Sequence, residues 1–208
     1  AVGILTSGKF AEAMDLGKEN PNVLARYTPR HKEEGKRGTT ADGYNSSRKL
    51  LLARRLIEVG VRVVSVTFSD FDTHSSNFDR MRHLVPVVDH ALATLVADLA
   101  ERGMLDDVLI VAWGEFGRTP KVNAKAGRDH WPRVSPGLMA GGGIRTGQVI
   151  GATDKVAGEA IERPVHYQDV MATMYEHLRL KPRATTVIDT TGRPQYLCDT
   201  GRPIRELF

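Results

Sequence analysis

Residues 61–68 read VRVVSVTF and residues 108–113 read VLIVAW. Both runs are short, rich in β-branched residues, and bounded by polar residues or glycine. That pattern predicts strands buried on both faces. Before the first run, RKLLLARRLIEVG places Leu50, Leu51, Ala53, Leu56 and Ile57 at helical spacing, with Ser46 and Ser47 ahead of it and Gly60 as its stop. After that run, a helix is predicted from Phe78 to about Arg102, with an apolar stripe through Leu84, Val85, Val88, Leu92, Leu95, Val96 and Leu99. Pro86 lies inside it and predicts a break or a late start. Further strands are predicted at about Gly137–Ala140 and at Gln148–Gly151, and a final amphipathic helix over Gln168–Leu180. Helix and strand in alternation predict an α/β fold with a mostly parallel central sheet.

The ends of the chain are less regular. Ser7 is placed to cap a short helix reaching about Asp15, and Pro21 to start another toward Tyr27. Residues 27–39, YTPRHKEEGKRGT, mix Arg30, Lys32, Lys36 and Arg37 with Glu33 and Glu34, which reads as a solvated loop. The tail to Phe208 holds Pro182, Pro194 and Pro203 and is predicted to be mostly loop. There is no repeat and no linker-like stretch, so residues 1–208 read as a single α/β domain.

Composition narrows the function classes. The chain has 208 residues, 41% of them hydrophobic, with a net charge of +4. Aromatic residues make up only 6%, which argues against a base-stacking platform and hence against nucleic acid as a partner. No run approaches the roughly 18 consecutive apolar residues of a membrane span. Cys198 is the only cysteine, so an intrachain disulfide and a thiolate zinc cluster are excluded. The first residue is Ala1 and no signal peptide precedes it, which reads as a processed chain or a piece of a longer one.

Ligands of open α/β sheets bind beyond the carboxyl ends of strands. The first predicted strand runs into Asp70-Phe71-Asp72-Thr73-His74-Ser75-Ser76-Asn77, and the second into Gly114-Glu115-Phe116-Gly117-Arg118. Arg128-Asp129-His130-Trp131 follows before the third. Carboxylates and imidazoles at adjacent strand ends suit a divalent metal: zinc for imidazole with carboxylate, calcium or manganese for a more oxygen-rich set. Other roles stand beside that one. Asp70, Asp72 or Ser75 could cap the next helix, Glu115 could pair with Arg118, and Asp129-His130 could be a structural pair. Gly141-Gly142-Gly143 lacks the Lys-Ser/Thr ending of a phosphate loop and reads as a tight turn. His31, His83, His90, His166 and His177 read as surface or capping histidines, and Cys198 has no His near it in sequence to make it a nucleophile.

The runs GEFGRTP, GRDHWP, AGGGIRTGQVIGATD and PVHYQDVMATMYEHLRL, in that order, resemble the family catalogued as domain of unknown function 1501. FDTHSSNF resembles its Trp-Asp-Thr-His segment, with Phe71 in the Trp place, and GRPIRELF resembles its C-terminus. The resemblance implies a sulfatase-like protein of the alkaline phosphatase superfamily, periplasmic or extracellular. The implied fold is a three-layer sandwich of which this chain is the N-terminally truncated, C-terminal part. It implies Asp72, His74 and His130 as ligands of one metal and Glu115 as a ligand of a second. The metal would be zinc, calcium or manganese, and the substrate a small-molecule or polysaccharide sulfate or phosphate ester. Arg118 would hold a non-bridging ester oxygen with its planar fork.

Three departures accompany the resemblance. Only Thr73 separates Asp72 from His74, where alkaline phosphatases leave three residues. Phe116 follows Glu115, where they place a His. Nothing in residues 1–60 resembles the nucleophile segment, and Ser46 and Ser47 are not read as nucleophiles. A binding or surface protein that keeps the fold without catalysis is the alternative function.

Overall fold

The computed structural model describes residues 3, 8–28 and 43–208. The Ser7 cap and the charged loop after Thr28 lie outside them, as do His31 and the start of the chain. The chain divides into two compact units. The first contains the described residues up to Arg102 together with Lys121–Asp129. The second contains Gly103–Pro120 and His130–Phe208.

The first unit is helical. Helices α1 (Gly8–Met14), α2 (Pro21–Arg26), α3 (Arg48–Glu58) and α4 (Asn77–Glu101) form it. Pro21 stands in the first turn of α2 behind an Asn20 cap whose side chain accepts from the Asn22 amide. Arg55 of α3 reaches the end of α1 and donates to the carbonyls of Ala13, Glu12 and Asp15. Glu12 and Ala13 lie in the last turn of α1 and Asp15 just after it, where a cation suits the helix dipole.

Helix α4 is unbroken. Its buried stripe is Leu84, Val87, Ala91, Leu95 and Leu99, so the face turns slightly from the predicted one and leaves Val85 exposed. Pro86 lies on the exposed side. The Arg82 carbonyl that it deprives of a donor is therefore open to water, and the helix continues through it. By length and mean hydropathy α4 would also suit a bilayer crossing. In this unit its stripe packs against α3.

A charged cluster lies inside the helices. Arg54 is 2% exposed and contacts Asp98 at 3.0 Å, Glu19 at 2.6 Å and Glu58 at 2.6 Å. Arg102 donates to the other Asp98 oxygen at 2.8 Å, and the buried Tyr27 hydroxyl donates to Asp98 at 2.9 Å. Burial pushes the Asp98 carboxyl up, but the hydrogen bonds from Arg102 and Tyr27 and the Arg54 charge outweigh it and hold it below its ordinary 3.8. Burial likewise opposes ionisation of Glu19, and the bonds from Arg55, the Asn20 amide and Arg54 bring it below 4.5.

The second unit carries the strands: β1 (Leu109–Trp113), β2 (Gly117–Arg118), β3 (His130–Trp131), β4 (Gly137–Gly141), β5 (Ala152–Thr153), β6 (Ala160–Glu162), β7 (Thr186–Ile188) and β8 (Pro194–Tyr196). Helix α5 (Tyr167–His177) lies between β6 and β7. The strands form four two-stranded antiparallel pairs, β1–β4, β2–β3, β5–β6 and β7–β8.

This overturns the expected three-layer α/β sandwich with a mostly parallel sheet. A parallel pair needs a crossover, usually a helix. The stretch between β1 and β4 contains no helix among the described residues, and the chain returns antiparallel, with Leu109 opposite Gly141 and Trp113 opposite Gly137. The VRVVSVTF run has no strand partner among the described residues. Val63 in it is exposed, and the Thr67 carbonyl accepts from the Lys49 ammonium. Its β-branched residues favour an extended backbone, but that preference supplies no neighbouring strand. The expected strand at Gln148–Gly151 is also absent; β5 begins just after it.

Other expectations hold. The Gly141–Gly143 turn has positive φ at all three residues, and a Cβ on Gly141 would overlap the Val108 carbonyl. Behind the turn, Ile144, Ile204 and Leu207 form a small core against Leu109, Met139, Ile150 and Val170.

Arg54→Met leaves Asp98 and Glu19 buried without their shared cation. It is expected to lower stability by about 3–5 kcal/mol in urea unfolding. The two lowered carboxyls add a pH signature. Their contribution is complete above their unfolded values, near 3.8 and 4.5, and is lost as pH falls through the lower folded ones. The wild-type urea midpoint should therefore drop on acidification below about pH 4.5, and drop less steeply in Arg54→Met.

Candidate metal centre

Asp72, Thr73 and His74 sit in the loop before α4. Asp70 (φ 71°) and Ser76 (φ 48°) bracket them in left-handed conformations uncommon for such residues. The loop is held from two sides. Thr73 is fully buried, and its hydroxyl donates to the Asn77 side-chain oxygen. The segment Lys121–Asp129 supplies the rest: the Ser76 and Asn77 amides donate to the Lys125 and Ala126 carbonyls, and the Arg128 amide donates to the Thr73 carbonyl. Ser76 provides no side-chain cap to α4, so these carbonyls take over the task of satisfying amides at the helix start.

Two carboxylates flank one imidazole. His74 Nδ1 lies 2.7 Å from Asp129 Oδ1, and His74 Nε2 lies 3.0 Å from Asp72 Oδ1. All three side chains are about half exposed, so the group is open to a ligand from solvent. Asn123 ties it together, its amide nitrogen donating to the His74 carbonyl at 3.1 Å and to Asp129 Oδ1 at 3.2 Å. The Asn123 side-chain oxygen accepts from the amides of Lys125 and Gly127. A neutral imidazole donates from one nitrogen only. With Asp129 on Nδ1, Nε2 and Asp72 Oδ1 are two lone-pair donors facing one another, 3.0 Å apart and open to solvent. Asp72 Oδ1 and His74 Nε2 are a hard oxygen and a borderline nitrogen, a donor pair that suits zinc or manganese better than calcium. With Asp129 on Nδ1, the arrangement matches the carboxylate–histidine–metal pattern that orients a ligating ring.

The remaining predicted residues lie in the second unit. Glu115 is exposed in the turn after β1. The Tyr167 hydroxyl lies 2.7 Å from the Gly114 and Glu115 carbonyl oxygens, and the Tyr167 ring meets Trp113 edge-on at 5.4 Å. Arg118 on β2 is paired across the ladder with His130 on β3. The His130 ring lies against Phe116, with centroids 4.2 Å apart, and the Arg118 guanidinium is 5.8 Å from the same Phe116 ring. Phe116 thus packs with both.

Asp129 and Asn123 are the residues that sequence reading missed as supports for His74. The signal was the spacing Asn123-x-x-x-Gly127, an Asn turn closed by a glycine. Elsewhere the minor histidines act as expected: His166 caps α5 in a capping box with Asp169, His90 contacts the Arg26 carbonyl and His177 the Asp107 carbonyl. Ser46 and Ser47 are fully buried, which leaves neither placed as a nucleophile.

A family model described as Protein of unknown function (DUF1501) matches residues 3–208. Neither the curated proteins nor the solved structures contain a significant match.

A Cβ on Gly127 would overlap the His74 carbonyl group and the Ser75 amide nitrogen. Gly127→Ala is therefore expected to push the Lys121–Asp129 segment off the His74 loop, at a cost of about 2–3 kcal/mol by thermal or urea unfolding. Lys125→Ala in the same segment should stay within about 0.5 kcal/mol of wild type.

Proposed function

The chain belongs to the DUF1501 family, and on that premise we propose that Asp72 and His74 hold a divalent metal ion serving the hydrolysis of sulfate or phosphate esters. The observation that carries this reading is the pair of contacts on His74: Asp72 at Nε2 and Asp129 at Nδ1. Asp129 keeps the Nδ1 proton in place, which leaves the Nε2 lone pair for a metal beside the Asp72 oxygen. His130 and Glu115, both exposed, are the further donors the family resemblance assigns. Zinc, manganese or calcium bound there would polarise an ester oxygen and stabilise the charge that develops on it. Arg118 would bind a non-bridging oxygen through its fork of N–H donors. The substrate is then an anionic ester, either a small molecule or a polysaccharide carrying sulfate or phosphate.

One observation favours a second reading. Phe116 stands where the superfamily resemblance places a metal-binding His, and its ring is packed on His130. An exported binding protein that has lost catalysis would account for that replacement.

Metal content and turnover separate the readings. Purified protein loaded in turn with zinc, manganese and calcium should retain metal in elemental analysis, and Asp72→Ala and His74→Ala should lose it. Asp129→Asn should weaken affinity by about 10–100-fold. His130→Ala and Glu115→Ala report on the other donors. Hydrolysis of aryl sulfates or phosphates that disappears in Asp72→Ala supports the enzyme, and metal binding without turnover supports the binding protein. Equal metal content in wild type, Asp72→Ala and His74→Ala would remove the metal centre altogether.

A further inference from the structure

The segment Thr200–Leu207 is bolted to the start of α5. The Gln168 side-chain oxygen accepts from the Thr200 amide, the Thr200 hydroxyl and the Gly201 amide. Asp169 accepts from the Arg202 amide at 2.9 Å, and the Ile204 amide donates to the Thr173 hydroxyl at 3.0 Å. Ile204 and Leu207 are buried, while Arg202 and Arg205 point to solvent. The two arginines thus project from a backbone fixed by hydrogen bonds and core packing, so little ordering is needed when a ligand engages them.

Between them lies a cavity of about 320 Å³ lined by Arg163, Asp169, Arg202, Pro203, Arg205 and Glu206. Its two carboxylates are already engaged. Glu206 takes both donors of the Arg163 fork, at 2.6 and 2.9 Å, and this holds its carboxyl at about 2. Asp169 receives the amides of His166 and Arg202. Neither the Arg202 nor the Arg205 guanidinium has a carboxylate partner among the described residues. Three guanidinium groups thus face two carboxylates, a net charge of +1, and the two guanidiniums of Arg202 and Arg205 keep several N–H donors that no carboxylate engages.

We propose that this cavity is an anion-binding site, in which Arg202 and Arg205 grip the tetrahedral oxyanion of a phosphate or sulfate group. Planar guanidinium forks match such oxygens bidentately. Pro203 between them keeps the wall rigid and offers no N–H that would compete for the anion. The site stands on its own residues and does not rest on the metal reading.

Isothermal titration with inorganic phosphate and with inorganic sulfate tests it, with EDTA present throughout so that a metal at Asp72 and His74 plays no part. Wild type should bind at least one of the two ions, and the ion that binds more tightly names the preferred ester. The double variant Arg202→Gln/Arg205→Gln should bind it at least about tenfold more weakly, the loss of roughly 1.4 kcal/mol. Both side chains are exposed, so the variant should keep the wild-type circular dichroism and melting temperature. The control Arg183→Gln/Arg193→Gln removes the same charge elsewhere on the unit and should bind as wild type does. Added sodium chloride should weaken the wild-type affinity, as expected for exposed charges. No binding of either ion by wild type would overturn the proposal. So would equal binding by the Arg202/Arg205 variant, or an equal loss in the control.

Discussion

The buried Arg54 guanidinium is the contact on which the first unit depends. It joins three carboxylates from three parts of the chain: Glu19 ahead of α2, Glu58 at the end of α3, and Asp98 near the end of α4. Taking these charges out of water is costly, and mutual pairing together with the Tyr27 and Arg102 hydrogen bonds offsets that cost. The geometry is demanding because each charge must find its partner. A helix pair held only by apolar contacts could slide by a turn, whereas one carrying Asp98 against Arg54 cannot slide without stranding a charge.

That constraint reaches the candidate metal centre through α4. Asp98 anchors one end of the helix, and the other end begins at Asn77, three residues after His74. The loop preceding the helix is then fixed by Thr73 and by the carbonyls of the Lys121–Asp129 segment. Gly127 permits the close approach that brings Asp129 to the His74 ring. The result is an imidazole oriented by its backbone and its buttress while its other nitrogen faces Asp72. Orientation of this kind matters for a metal ligand, since affinity depends on the ring being held in the right tautomer before the ion arrives.

Much of this architecture was legible in the residues. Helical spacing located α3, α4 and α5 to within a few residues, because each carries an apolar stripe against a polar face. The three glycines at 141–143 announced a turn that only glycine can make. Asp72 and His74 stood out as a titratable pair in one short loop, and they do come together. The sheet was not legible. VRVVSVTF and VLIVAW are both short runs rich in β-branched residues, yet only the second acquires a ladder partner among the described residues. Pairing is a property of the neighbour, which lies far away in sequence and leaves no mark on the strand itself. The Arg54 cluster was hidden for a related reason. Charged residues on helices usually face water, and nothing local distinguishes Arg54 from Arg55 or Arg62. Asp129 was visible as half of an Asp-His pair in sequence, but its contact with His74, 55 positions back, was not.

In the proposed centre, His74 binds a metal through Nε2 while Asp129 holds its Nδ1 proton. Long-range proton–nitrogen NMR spectra of the His74 ring during a zinc titration test it most directly. Zinc should move the Nε2 resonance into the metal-bound range while Nδ1 remains protonated, and Asp129→Asn should let the ring populate both tautomers before zinc is added. A His74 ring whose two nitrogen resonances do not respond to saturating zinc would contradict it.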